Sequence, residues 1–289
     1  MSLLVTGSVA LDTLEGPFGM VTGELGGSAL YFSLAASLIR PVDLVAPVGR
    51  DAEEEVRRLL ANRPIGLDGL SVLELPTYRW SARQHLGSNL DRGGSDSIYD
   101  WWDPEPPPDY DGWAFIGSMR PDKQARAADG LRDRATLLAG DSMRSYVSSR
   151  PREVEQLLGA CGWFFANEEE LLALGGLPGR PQEFLTRWGL DGLVVKAGSA
   201  GCTIWTTAGS VHQGALVGWP VVDVTGAGDA LAGGMLARWL EMGGRPDDLG
   251  DALIHGVACA SIAISEVGLR ALARATRADL EERVSELRR

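Results

Sequence analysis

The stretch Val222-Asp223-Val224-Thr225-Gly226-Ala227-Gly228-Asp229 gathers residue types suited to phosphoryl chemistry. Gly226, Ala227 and Gly228 leave three backbone N–H groups uncovered by bulky side chains, and the small and apolar residues after them predict a helix over 227–241. Donors in the first turn of a helix have no intrahelical acceptor, and the helix dipole adds partial positive charge, so such a turn attracts an anion. Asp229 stands inside that turn. The residues alone allow two readings of its carboxylate. It is an acidic first-turn residue that favours the dipole, or it is a general base that takes a proton from a hydroxyl while the glycine turn holds the phosphoryl group under attack.

Other polar residues fall at places where ligands bind. Asp12 follows the apolar run 3–10, and ligands of open α/β sheets bind beyond the carboxyl ends of strands, so Asp12 either accepts hydrogen bonds from a polyol or forms a turn before Thr13. Gly26-Gly27 admits a ligand close to the backbone, or is a flexible turn before a helix. Asn167, followed by Glu168, Glu169 and Glu170, is a good N-cap for a helix over 168–174. Asp141 ends another strand with Arg144 nearby, as a salt-bridged turn or as a pair facing phosphates.

These residues need a scaffold. Strands are predicted over 3–10, 42–48, 70–75, 78–84, 113–117, 135–139, 163–166, 192–196, 202–206 and 216–222. Helices are predicted up to 39 from Ala29, and over 52–61, 121–134, 152–160, 227–241, 251–265 and 277–289. In the first of these, Leu30, Leu34 and Leu38 repeat every four residues. Asp51 is the expected N-cap of the helix over 52–61. Strands alternating with helices argue a mostly parallel sheet flanked by helices, in one domain spanning 1–289. The strand over 78–84 alternates, but 85–111 is polar, rich in Gly and Pro and without strong periodicity, as in a lid, and 16–24 reads as an edge or lid strand. A lid is therefore expected as an insertion from about 13–24 and 70–111; Trp80, Trp101 and Trp102 either cover an acceptor there or pack into the core.

Composition narrows the function classes. The 289 residues, 45% apolar, suffice for a sizeable core. A net charge of −12 disfavours nucleic acid and anionic membrane as partners. The three cysteines, Cys161, Cys202 and Cys259, form no C-x-x-C pair and read as buried thiols of a reducing, cytoplasmic setting. The histidines are scattered, so no zinc or haem site is indicated, and no apolar run is long enough to span a membrane.

The segment Asp223 to Asp229 resembles the signature of the PfkB-type carbohydrate kinases, the ribokinase-like family, except that Val224 stands where Thr is frequent. The resemblance spans nearly the full length and implies a ribokinase-like α/β fold with a small β-sheet lid. It implies an ATP-dependent kinase for a sugar or polyol hydroxyl, with Asp229 as base and the Gly226, Ala227 and Gly228 amides as the anion hole. The alternatives are a nucleoside kinase of the same fold and a ligand-binding pseudokinase. The context Gly7-Ser8-Val9-Ala10-Leu11-Asp12 matches the family's sugar-binding Asp, and Gly26-Gly27 its sugar-holding turn. Ribokinases carry Asn where this chain has Ala10 and Tyr31, so ribose is a poor fit and Tyr31 takes a substrate-side position. Asn167 and Glu170 match the N-x-x-E motif that orders Mg²⁺ through water, which is chemically sufficient for an ion that keeps most of its waters. Lys196, Gly198 and Gly201 match a K-x-G-x-x-G nucleotide loop, with a plain glycine hairpin as the alternative. Asp223 with backbone near Ala263 and Gly268 fits a monovalent-cation loop, for K⁺, and the lid implies a homodimer in many members.

Overall fold

In a computed structural model, which describes residues 2–85, 88–177 and 179–289, the chain forms two sheets of different kinds. The first half comprises β1 (Leu3–Thr6), β2 (Ala10–Gly16), β3 (Gly19–Gly26), α1 (Ser28–Ala36), β4 (Val42–Gly49), α2 (Glu53–Leu60), β5 (Ile65–Leu73), β6 (Tyr78–His85) and β7 (Ser88–Ser95). It continues through β8 (Trp113–Ile116), α3 (Pro121–Leu131), β9 (Leu137–Asp141), α4 (Arg144–Ser149), α5 (Pro151–Ala160), β10 (Trp163–Asn167), α6 (Glu168–Ala173), α7 (Pro181–Trp188) and β11 (Gly192–Lys196). The last elements are β12 (Cys202–Thr206), β13 (Gly209–Gln213), α8 (Ala227–Glu241), α9 (Leu249–Ala263), α10 (Arg270–Arg274) and α11 (Arg277–Leu287). Among the described residues, no helix is long and apolar enough to cross a membrane.

The large sheet runs β13-β12-β11-β10-β9-β8-β1-β4-β5, parallel except at the β11–β12–β13 end. Parallel strands are buried on both faces, so successive side chains enter opposite cores. Trp113 and Phe115 of β8 join the core beneath α1, α8 and α9, while Ala114 and Ile116 join the core with α3, α5 and α7. Small residues bring the helices of the first core into close contact. A Cβ on Gly234 of α8 would lie 2.6 Å from Cys259 Sγ, and one on Gly256 of α9 would lie 2.7 Å from Leu231 O. The fold is the ribokinase-like α/β arrangement that the resemblance implies.

The small sheet, in the order β3-β2-β6-β7, is the lid. Its extent differs from the expectation in two ways. The apolar run 3–10 is broken: β1 ends at Thr6, and the chain re-enters as lid strand β2 at Ala10. At the break Ser8 and Ser28 exchange bonds (Ser28 N–H to Ser8 Oγ 3.1 Å, Ser8 N–H to Ser28 Oγ 3.2 Å), and Ser8 N–H also reaches Ser118 O at 3.2 Å. The second lid segment is shorter than 70–111. Residues up to Leu73 belong to β5 of the large sheet, and Tyr99 and Trp102 pack with Tyr78 in the second core. Residues 86–87 of that segment lie outside the described residues.

Two further expectations fail. No strand forms over 216–222, since β13 already occupies that edge of the sheet; Val217 and Val221 are exposed, and the Val222 N–H bonds Ile264 O at 2.8 Å. Asp51 does not cap α2. Its carboxylate accepts from Thr77 N–H (2.9 Å), Thr77 Oγ1 (2.6 Å) and Arg79 (2.6 Å), and Ala52 occupies the cap position with no side-chain bond.

Candidate active site

The glycine turn is built by its neighbours as much as by itself. Asp223 is 1% exposed and accepts from Thr225 N–H (3.0 Å) on one oxygen and from Gly268 N–H (2.9 Å) on the other. It thereby fastens the stretch before α8 to the segment after α9, near Ala263, the last residue of that helix. Gly226 then takes φ +72° as N-cap of α8, and a Cβ there would fall inside the ring of Tyr31. The backbone conformation and the ring beneath it both require glycine. One of the three expected amides is partly spent, since Ala227 N–H reaches Val224 O at 3.3 Å.

Tyr31 fills the space under this turn. It is 1% exposed, and its hydroxyl has no partner among the described residues. Burial pushes its pKa well above the usual value, and Asp12, Asp223, Asp229 and Glu24 push in the same direction, so one ring lies among the carboxylates of both halves of the site.

Asp12 sits within β2, opposite Glu24 of β3 and Trp80 of β6, at the base of the lid. It is 2% exposed, and its Oδ1 is buried without a partner. Burial above all, then Asp223 and Glu24, pushes its carboxyl up to about 8. Gly26 and Gly27 let the backbone pass close: a Cβ on Gly26 would strike the Asp12 carboxylate, and Gly27, at φ +98°, lies 2.9 Å from Ala10 N by the same measure.

On the other side, three adjacent parallel strands end together. Asn167 of β10 pairs with Lys196 of β11, and Asp141 of β9 pairs with Phe165, two residues earlier, so these three residues cluster at the carboxyl ends of β9, β10 and β11. Asn167 and Glu170 form a full capping box, with Glu170 N–H to Asn167 Oδ1 and Asn167 N–H to Glu170 Oε2 both at 2.8 Å. Asp229, in the first turn of α8, keeps one buried carboxylate oxygen without a partner. Burial raises its pKa well above the carboxylate range; Asp141 and Glu170 add to this and Lys196 opposes it. Burial works against the Lys196 charge, but Glu170, Asp141 and Asp229 outweigh it and hold its pKa above the usual value. Gly198 (φ +56°) and Gly201 (φ +96°) shape the turn from β11 to β12; Gly201 passes against the backbone of Gln213 to Ala215, while Gly198 faces open space.

Two contacts escaped the sequence reading. Asn89 of lid strand β7 donates to Thr225 Oγ1 at 2.8 Å, linking lid to glycine turn across 136 positions. Glu24 of β3 receives both Nε (3.0 Å) and Nη2 (2.7 Å) of Arg270. No local pattern marks either pair, because the partners are distant in sequence. Arg144 is exposed and pairs with Glu169, next to Glu170 in the first turn of α6. Trp101 is 76% exposed, Trp102 donates to Ser71 Oγ, and Trp80 donates to Asp91 Oδ1.

Residues 129–276, just over half of the chain, match the pfkB family of carbohydrate kinases. The cytidine kinase of Thermococcus kodakarensis is 27% identical over 256 residues, covering 85% of this chain and 90% of that protein. The ATP-dependent ribose-1-phosphate kinase of Halopiger xanaduensis is 33% identical over 171 residues, covering 58% and 54%. The solved structure of Burkholderia thailandensis nucleoside kinase in complex with inosine superposes with a TM-score of 0.80, at 18% identity and 98% coverage of both chains.

Proposed function

The chain belongs to the pfkB family of carbohydrate kinases and is a phosphotransferase with a hydroxyl acceptor, and from that premise we propose that it carries the γ-phosphoryl group of ATP to a hydroxyl of a substituted ribosyl ring, as in a nucleoside, with Asp229 as general base. The observation that carries the proposal is the Asp229 carboxylate: buried at one oxygen, unpartnered there, and set in the first turn of α8 beside Gly228 and Lys196. A carboxylate with a raised pKa is the stronger base once ionised, which suits abstraction of a hydroxyl proton. In an in-line transfer, charge spreads over the phosphoryl oxygens, and the backbone of Gly226 and Gly228 neutralises it. Asp12 accepts hydrogen bonds from acceptor hydroxyls, with Gly26 and Gly27 giving them room and Tyr31 supporting the turn from below.

The residues present fit Mg²⁺ in one way only. Among the described residues no three carboxylate, histidine or cysteine groups lie together to hold an ion directly. Glu170, in the first turn of α6, would hold it through water, with phosphates as its other ligands. Bound there, the ion would screen the phosphate charge. Asn167 and the 196–201 turn would then face the nucleotide. K⁺ near Asp223, Ala263 and Gly268 belongs to the same proposal; both Asp223 oxygens already serve the loop junction, so the ion would draw on backbone carbonyls.

The acceptor class rests on the relatives. Cytidine, inosine and ribose-1-phosphate all present a ribose substituted at its anomeric carbon. Free ribose lacks that substituent, in keeping with Ala10 and Tyr31 at the positions of ribokinase amides. Within that class, a sugar 1-phosphate in place of a nucleoside is the second reading, favoured by the Halopiger relative. Asp229→Asn tests the base. Turnover should fall by ~10²-fold or more with ATP affinity retained in calorimetry; a variant keeping over about a tenth of the rate contradicts the role.

A further inference from the structure

We infer that Lys196 is a catalytic residue that meets the transferring phosphoryl group, and that Asp141 is the positioning residue that holds it there. The inference rests on the proposed kinase reading and goes beyond it, because a Lys at the head of a nucleotide loop need only face the nucleotide.

Four observations carry it. The Lys196 ammonium does not follow the 197–201 turn outward; a Cβ on Gly228 would lie 2.9 Å from its Nζ, so the charge stands against the backbone of the glycine turn. Its partner is Asp141, with Oδ2 3.7 Å from Nζ, and the two side chains are 7% and 17% exposed. The other Asp141 oxygen is buried and has no partner among the described residues. The end of β9 is fixed from behind, where buried Gln124 donates to Asp141 O (2.7 Å) and to Gly117 O (2.9 Å).

A buried carboxylate with one idle oxygen is costly if its purpose is packing. Its placement makes sense if it holds a mobile four-carbon side chain at one point. A lysine is a flexible point charge, and tethering it beforehand removes the reorganisation otherwise needed when charge develops on the phosphoryl oxygens. At 3.7 Å the tether is loose enough for the ammonium to lean toward an arriving phosphoryl group while Asp141 still balances it. Burial, with Glu170 adding and Lys196 opposing, raises the Asp141 carboxyl to about 6, which is consistent with a group strained by its burial.

The test is a double-mutant cycle with a binding arm. Lys196→Met should lower kcat by ~10²-fold, the scale of one lost oxyanion donor, with the KM for ATP changed by less than about threefold. Asp141→Asn should lower kcat by about tenfold in the Lys196 background and add no loss in the Met background, since it acts only through the ammonium. Independently of turnover, inorganic phosphate should raise the melting temperature of the wild type and raise it distinctly less in Lys196→Met. Penalties that multiply, or phosphate stabilisation unchanged in Lys196→Met, overturn the inference. Should Asp141→Asn lose its cooperative melt, Asp141→Ser takes its place in the cycle. Wild-type protein inert on every acceptor would sink the kinase reading, and the phosphate arm would still decide where the Lys196 charge acts.

Discussion

Burial gives Asp229 and Asp12 the same direction of shift but different consequences. For Asp229 the ionised form is the working form, so kcat should rise with pH through its raised pKa and fall below it; a kcat independent of pH from about 5 to 9 contradicts the base assignment. For Asp12 the consequence is stability. Its folded carboxyl titrates at about 8 against 3.8 unfolded, so the folded state binds the extra proton between those values and the carboxylate becomes destabilising as pH rises through that window. At ~1.4 kcal/mol per pKa unit the ceiling is about 6 kcal/mol, and relaxation of the site reduces it. Asp12→Asn should therefore raise the melting temperature at pH 8 more than at pH 4, while weakening acceptor binding and sparing ATP. A variant less stable than wild type at pH 8, or one that loses ATP instead, shows that the carboxylate does a different task.

At the scale of elements, the site depends on how closely α1, α8 and α9 pack. A Cβ on Gly233 would run into the Phe32 carbonyl of α1, one residue beyond Tyr31. Gly233→Val should cost ~1–3 kcal/mol as overpacking and, by shifting Tyr31 beneath Gly226, lower kcat more than ATP affinity. Denaturant melts and calorimetry separate the two effects; lost stability with unchanged kcat would mean that Tyr31 does not support the turn. The lid is tied to the body by Asn89–Thr225 and Glu24–Arg270. Asn89→Ala should raise the acceptor KM more than that of ATP, and equal effects on both would place the contact outside acceptor binding.

The sequence exposed these elements unevenly, for physical reasons. Helix 227–241 and strands 192–196 and 202–206 have the predicted bounds, because each is set by local signals: a glycine turn, an apolar run, a hairpin glycine. The strand expected over 216–222 is missing because apolar content cannot say whether a sheet edge is already taken. Asp51 looked like a cap and instead serves Thr77 and Arg79, partners that only the fold brings near. Of the candidate site, the glycine turn and the strand-end positions were legible in motif spacing. The tether of Lys196 to Asp141 was not, since it spans from β11 to β9 across β10 and depends on the order of those strands in the sheet.

For the whole molecule, the central claim is a kinase whose acceptor is a substituted ribose. The measurement that tests it most directly is ATP-dependent product formation by the wild type and by Asp229→Asn, across cytidine, inosine, ribose-1-phosphate, ribose, fructose and a cyclic polyol. The account predicts the highest kcat/KM on a ribosyl acceptor substituted at the anomeric carbon, poor activity on ribose, and loss of turnover on every acceptor in the Asn variant. Ribose or fructose as the best acceptor, or an Asn variant as active as the wild type, would contradict it.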